Sequence, residues 1–177
     1  MYVFVRKQAC HQEKRPQVLL NFRPRTEERQ QLVKRFSNIS WTVIEDPSYI
    51  KYMKQGEEKT SGLVLHERFL LDVAQYRYAI SPKGNGLDCH RTWELLAIGV
   101  IPVMLHSNLD AMFQDLPILL VHDWGEVTLD KLDSHWKEYG EAFARSKDIP
   151  KAVTMTYWEA KILNYARIDN EDSRNGG

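Results

Sequence analysis

The chain has 177 residues, 43% of them hydrophobic and 27% charged. That is close to the average of soluble globular proteins and excludes a disordered or collagen-like chain; the length suits one ordinary domain, burying about 70% of its unfolded surface without staples. Lys plus Arg and Asp plus Glu each number 24, and this zero net charge excludes a basic nucleic-acid coat while leaving room for one local anion site.

Two cysteines, Cys10 and Cys89, make no disulfide framework and cannot form a zinc site by themselves. No apolar run approaches the roughly 18 residues of a membrane span. Met1 to Val5 is apolar but turns to Arg6 and Lys7 too soon for a signal-peptide core. No nucleic-acid partner, no membrane span and no metal are therefore expected.

Residues 1–17 read as an N-terminal arm, polar from residue 6 onward. Val18-Leu-Leu-Asn-Phe22 is a short apolar run fit for a buried strand. Thr26, Glu27 and Glu28 open a helix with a capping hydroxyl and two acids facing the dipole. Leu32, Val33 and Phe36 are its apolar stripe. Trp41 to Ile44 is a second strand. Residues 46–62 read as a loop with one helical turn, and the charges from Lys51 to Lys59 as a solvated cluster.

Phe69, Leu70 and Val73 mark the next helix, and Tyr76 to Ser81 the next strand. After a loop, residues 88–98 are helical, with Gly99 as C-terminal cap. Val100 to Leu105 is a strand in which Pro102 belongs near the start or on an edge. Ile118 to His122 is the last strand. Thr128 caps a helix with Leu129, Leu132, Trp136, Tyr139 and Phe143 turned to the core. A final helix over 154–168 carries Met155, Trp158 and Ile162 on one face, and 169–177 reads as a flexible tail. Short apolar strands alternating with helices define an α/β fold: a Rossmann-like three-layer domain over 18–168 with a mostly parallel sheet. Ligands of such sheets bind beyond the carboxyl ends of the strands. The loops starting at Asn21, Ser81, His106 and Asp123 are thus the places for chemistry.

Ser81-Pro-Lys-Gly-Asn-Gly-Leu-Asp-Cys-His-Arg-Thr-Trp-Glu94 is the most informative segment. It reads as strand, glycine-containing loop and helix. Gly84 and Gly86 permit positive φ and close approach of a ligand. The helix behind them aims free N–H groups at the loop, which favours phosphate, and Lys83 adds a cation. Arg91 and Glu94 share a helix face opposite Cys89, Trp93 and Leu96. An Arg one turn in can grip a diphosphate, and Glu94 can accept the hydroxyls of a ribose. A plain turn with a surface Arg91–Glu94 ion pair is the competing reading. Neither the dinucleotide fingerprint nor a Walker sequence is present.

The block Tyr78-Ala-Ile-Ser-Pro-Lys-Gly-Asn-Gly-Leu-Asp-Cys-His-Arg-Thr-Trp-Glu94, followed by Gly99-Val-Ile-Pro-Val103, resembles the sugar-nucleotide site of exostosin-like glycosyltransferases. More widely it resembles the C-terminal donor-binding half of GT-B glycosyltransferases. The likeness extends through Ser107 to Asp110, Asp115 to Pro117 and Val121 to Trp124, and more weakly back to Leu20 to Phe22 and Arg25 to Arg29. It implies transfer of a sugar from a nucleotide-sugar to a glycan or other hydroxyl acceptor, with inversion and no required cofactor or metal. By matching position, Arg91 would hold phosphate and Glu94 the ribose. Ser81, Lys83, Gly84, Asn85 and Gly86 would line the phosphate loop. Asp88 would cap the helix or touch ligand, and Arg25 would be a second phosphate group.

A GT-B enzyme has two Rossmann-like domains, with the general base and acceptor site in the N-terminal one. The residues matched here belong to the other, so a second Rossmann-like domain or subunit is an implied partner and the last helix an implied contact with it. The alternative is a non-catalytic nucleotide- or anion-binding or partner-docking domain on the same fold. The compartment is open between the cytoplasm and, for a fragment of a longer enzyme, the Golgi lumen. Among the remaining groups, His90 reads as exposed and Cys89 as a small packed residue. Asp123 reads as a cap, and His66, His106 and His135 have no metal-ligand spacing.

Overall fold

The computed structural model describes residues 1–47 and 62–175. The expected loop of 46–62 and its Lys51 to Lys59 charges lie almost wholly outside the described residues. In chain order the elements are α1 (Tyr2–Ala9), β1 (Arg15–Leu20), α2 (Glu27–Phe36), β2 (Thr42–Ile44), α3 (Gly62–Val73), β3 (Tyr76–Ile80), α4 (His90–Ile98), β4 (Ile101–Leu105), β5 (Leu119–Val121), α5 (Leu129–His135), α6 (Glu141–Arg145) and α7 (Met155–Asn175). A π-helical turn, Trp136–Gly140, joins α5 to α6.

All five strands are parallel, in the order β2-β1-β3-β4-β5. The chain moves outward from β1 to β2, then crosses back to β3 on the other side of β1. The loops leaving β1 and β3 therefore diverge, and the crevice between them is the switch point where such sheets take ligands. The Rossmann-like three-layer fold expected from the alternation is what the chain adopts.

Strand side chains alternate between two helical layers, as the two-residue period requires. Val18, Leu20, Tyr78, Ile80, Ile101, Val103 and Val121 pack with Leu32 and Phe36 of α2, Leu132 of α5 and Trp136. Leu19 and Ala79 face the other way, against Val5 and Ala9 of α1, Phe69 and Leu70 of α3, and Leu95 and Ile98 of α4. A third cluster joins Leu96 and Met104 to Phe113, Leu116 and Ala152. Among the described residues no helix is long and apolar enough to cross a membrane.

Several expectations need correction. Residues 1–17 are not an arm. Tyr2, Val5 and Ala9 form an apolar stripe that docks α1 on the sheet, and β1 starts at Arg15. Polarity concealed this because Arg6 is fully buried, its guanidinium donating to the carbonyls of Phe143 (2.5 Å), Ser146 (2.9 Å) and Leu96 (3.4 Å). Pro102 is not on an edge, since β4 lies between β3 and β5. It is near the start, and the β4–β5 register opens only at Val103. Tyr139 and Leu129 are exposed; the π turn after Trp136 adds a residue and rotates Tyr139 away from the face an unbroken helix would give it. Helix α7 continues to Asn175, so 169–175 lies within the helix.

Candidate functional site

The carboxyl ends of β1 and β3 bring Asn21 and Ser81 side by side. Both are buried. Arg91, in the first turn of α4, lies between them. Its Nε donates to Ile80 O and its Nη1 to Asn21 O, each at 3.3 Å, and its Nη2 donates to Asn21 Oδ1. A cation in a helix's first turn opposes the dipole; here carbonyls at the ends of two strands supply the counter-field. Burial pushes the guanidinium down to about 10, so it stays charged at neutral pH.

Glu94 is also engaged. Its Oε1 accepts from Tyr2 Oη of α1 at 2.8 Å and lies 3.6 Å from His66 Nε2 of α3. The Arg91–Glu94 ion pair weighed from the spacing is not formed. The two side chains matched to phosphate and ribose are thus tied into the protein: Arg91 beneath the ends of β1 and β3, Glu94 on the flank where α1 and α3 pack.

The loop after β3 leads into α4 as expected. Ser81 Oγ sits 3.0 Å from Thr92 Oγ1, and Ser81 N donates to Val103 O, so Ser81 is held rather than open. Gly84 N donates to Gly86 O at 3.1 Å, closing a small turn. Neither glycine has positive φ; among the described glycines only Gly99 does, at +83°, as the C-cap of α4. Asn85 and Gly86 are exposed. Lys83 is exposed and pairs with Glu28 Oε2 at 3.2 Å. Asp88 does not cap α4. The cap is Cys89, with no side-chain bond, and Asp88 Oδ1 instead accepts from Trp93 Nε1 at 2.7 Å. The first turns of α2 and α5, by contrast, are closed by Thr26 and Thr128.

Arg25 is exposed on the β1–α2 loop, and no side-chain bond places it at the crevice. Arg29 takes the position expected of it. Its Nη2 donates to Lys83 O at 2.9 Å, its Nη1 to Arg23 O at 3.4 Å, and the guanidinium lies over the Phe22 ring. It joins α2 to the glycine loop.

A cavity of about 120 Å³ opens beside these groups, walled by Ser81, Lys83 and Leu87 on one side and by His106, Ser107 and Trp124 on the other. The second wall comes from the loops starting at His106 and Asp123, both named from the sequence as places for chemistry, but its side-chain pairings were not foreseen. Asp110 Oδ2 lies 2.6 Å from His106 Nδ1, and Asp110 Oδ1 accepts from Ser107 N at 2.8 Å. Burial works against the Asp110 carboxylate, yet these partners hold it below its ordinary range. The His106 and His122 rings stack with centroids 4.0 Å apart. They are 16 residues apart in sequence, and only the β4–β5 pairing makes them neighbours. The i, i+4 spacing of His106 and Asp110 was the visible signal of their pairing. Asp123 caps the following turn, accepting from Gly125 N at 2.6 Å, as expected.

Four buried side-chain N–H groups among the described residues have no acceptor, and three lie around this edge: Asn21 Nδ2 after β1, Arg29 Nε in α2, and Trp124 Nε1 after β5. No group of three His, Cys, Asp or Glu that could hold a metal ion occurs among the described residues. Comparison of the chain with protein-family models and with curated proteins returned no match.

Proposed function

We propose that the crevice at the carboxyl edge binds the nucleoside diphosphate part of a sugar nucleotide, and that the chain is the donor-binding domain of a glycosyltransferase. The observation that carries this reading is a pair of unsatisfied donors, Asn21 Nδ2 and Arg29 Nε, beside the switch point, with a third, Trp124 Nε1, on the wall of the adjoining cavity. Buried N–H groups without acceptors are costly, at about 1–3 kcal/mol each. A ligand rich in acceptor oxygens would satisfy them. Lys83, Arg29 and the open first turn of α4 add positive potential. The ordered likeness of 81–103 to exostosin-like enzymes supplies the sugar, the acceptor hydroxyl and the inverting transfer. A second Rossmann-like domain or subunit would then bring the acceptor and the base.

One observation favours a second reading. Arg91 and Glu94 are already bonded within the protein. A domain that keeps the fold but uses these side chains structurally would bind nucleotide or anion without turnover.

Calorimetric titration with UDP, GDP, CMP and ADP, first with EDTA and then with Mn²⁺, tests the proposal. Saturable binding of one nucleotide, weakened at least tenfold in Lys83→Ala, is expected. Lys83 is exposed, so this variant keeps its fold. No binding of any nucleotide, or binding indifferent to Lys83, refutes the assignment. Release of sugar from the matching donor separates the enzyme from the binding module.

A further inference from the structure

We propose that a groove at the opposite, amino-terminal edge of the sheet, floored by Lys14 and walled by Arg77 and Trp136, is a binding site for a small oxyanion, a phosphate or a carboxylate. The groove has a volume of about 510 Å³ and is also bordered by His11, Glu13, Glu141 and Arg145. It lies where β1 and β3 begin, a full strand length from the crevice.

Charge balance is the first argument. Lys14 is 5% exposed and Arg6 0%, and among the described residues no carboxylate is buried with them. Lys14 Nζ donates to Ala74 O, just past the end of α3, and has no ion-pair partner among the described residues. Arg6, beneath it, is held by three carbonyls and lies over the Phe143 ring at 4.4 Å. Buried charges are ordinarily paired, because desolvation is expensive. Here two basic side chains share one region with no buried acid, and Asp148, which offsets Arg6, is exposed.

Arg77 supplies the second argument. Its Nε is buried without an acceptor, its guanidinium stacks on the Trp136 ring at 4.6 Å, and its nearest acid, Asp133 at 3.8 Å, is largely exposed. The other acids are accounted for: Glu141 pairs with Arg145 at 2.8 Å, and Glu13 is exposed. The groove thus offers N–H donors on cations at its base and an indole beside them. An oxyanion accepts from Lys14 and Arg77, while any apolar part it carries lies along Trp136.

Burial, and then the neighbouring Arg6, push the Lys14 ammonium down to about 7. A bound anion reverses this and draws a proton onto Lys14. The test is calorimetry with inorganic phosphate, and separately with acetate, at pH 8 in two buffers of different ionisation enthalpy. Saturable binding with uptake of most of one proton is expected, with affinity falling about tenfold per pH unit from pH 8 to 9. Phosphate alone, or both anions, would name the class. Lys14→Met should abolish the uptake, and Arg77→Gln should weaken binding with uptake retained. No saturable binding of either anion, or binding without proton uptake by the unsubstituted chain, overturns the proposal. So does proton-linked binding that survives in a folded Lys14→Met variant.

Discussion

Arg91→Ala is the most informative single substitution at the crevice. By its likeness to a phosphate-gripping residue it would cost binding and leave the fold intact. The structure gives a different expectation. Arg91 makes three donated bonds, two to Asn21 and one to Ile80 O. Asn21 is 1% exposed, so its carbonyl groups would lose a charged donor in a place water reaches poorly. Bonds to charged groups are worth about 1.5–3 kcal/mol each, and partial hydration returns some of this. A net loss of about 3 kcal/mol is expected. For a domain of this size, urea unfolding has a slope of about 2 kcal/mol/M, so the midpoint should fall by about 1.5 M. Circular dichroism against urea measures it directly, and Arg91→Lys, which restores one donor, should recover part of the loss. A midpoint within about 0.3 M of the unsubstituted chain, together with loss of nucleotide binding, would refute the reasoning and make Arg91 a ligand group.

Gly140→Ala should lower the melting temperature by about 6 °C, from a cost of about 2 kcal/mol. Its added Cβ would stand 2.8 Å from Trp136 Cδ2 and 2.9 Å from Ile101 Cδ1, both in the core; an unchanged melting temperature would mean the π turn relaxes freely. Lys14, lowered to about 7 in the folded chain from an ordinary 10.5, binds fewer protons folded than unfolded between those values. Stability should therefore rise with pH from about 7 towards 10, by at most about 1.4 kcal/mol per unit. Lys14→Met should flatten that slope in denaturant titrations, and an equal slope in the variant assigns it elsewhere. Tyr2→Phe removes the hydroxyl on Glu94. Nucleotide affinity should rise if Glu94 receives a ribose, and calorimetry showing no gain leaves Glu94 a packing residue.

The fold was legible because its signals are local and repeated. Apolar strands, the Thr26 and Thr128 caps and the Gly99 stop each act within a few residues, and they agree. What failed was long-range or electrostatic. Arg6 looked solvated because no sequence pattern reveals that three distant carbonyls surround it. The π turn was hidden because one inserted residue leaves the apolar spacing almost intact while moving Tyr139 to solvent. At the crevice, the order of the residues from Ser81 to Glu94 located the loop and helix correctly. It did not reveal which partners their side chains take. Asn21 follows β1, Tyr2 and His66 come from α1 and α3, and their meeting with Arg91 and Glu94 is a property of the packed layers.

Unsatisfied donors say where this fold is left incomplete. Folding normally pairs every buried N–H, because an unpaired one forfeits its bond to water and gains nothing. Of the four side-chain donors left unpaired among the described residues, Asn21, Arg29 and Trp124 stand around the carboxyl-edge crevice and Arg77 at the amino-edge groove. Random packing faults would fall in the core between the layers, where most buried side chains are. These fall instead near the two openings. Lys83, paired with Glu28, lines one, and Arg29 reaches its loop. Lys14 and Arg77, the latter paired with the exposed Asp133, line the other. An oxyanion from outside the chain would satisfy the open donors at both places, which is what the two proposed sites share, and the length of the strands between them keeps the two proposals separate.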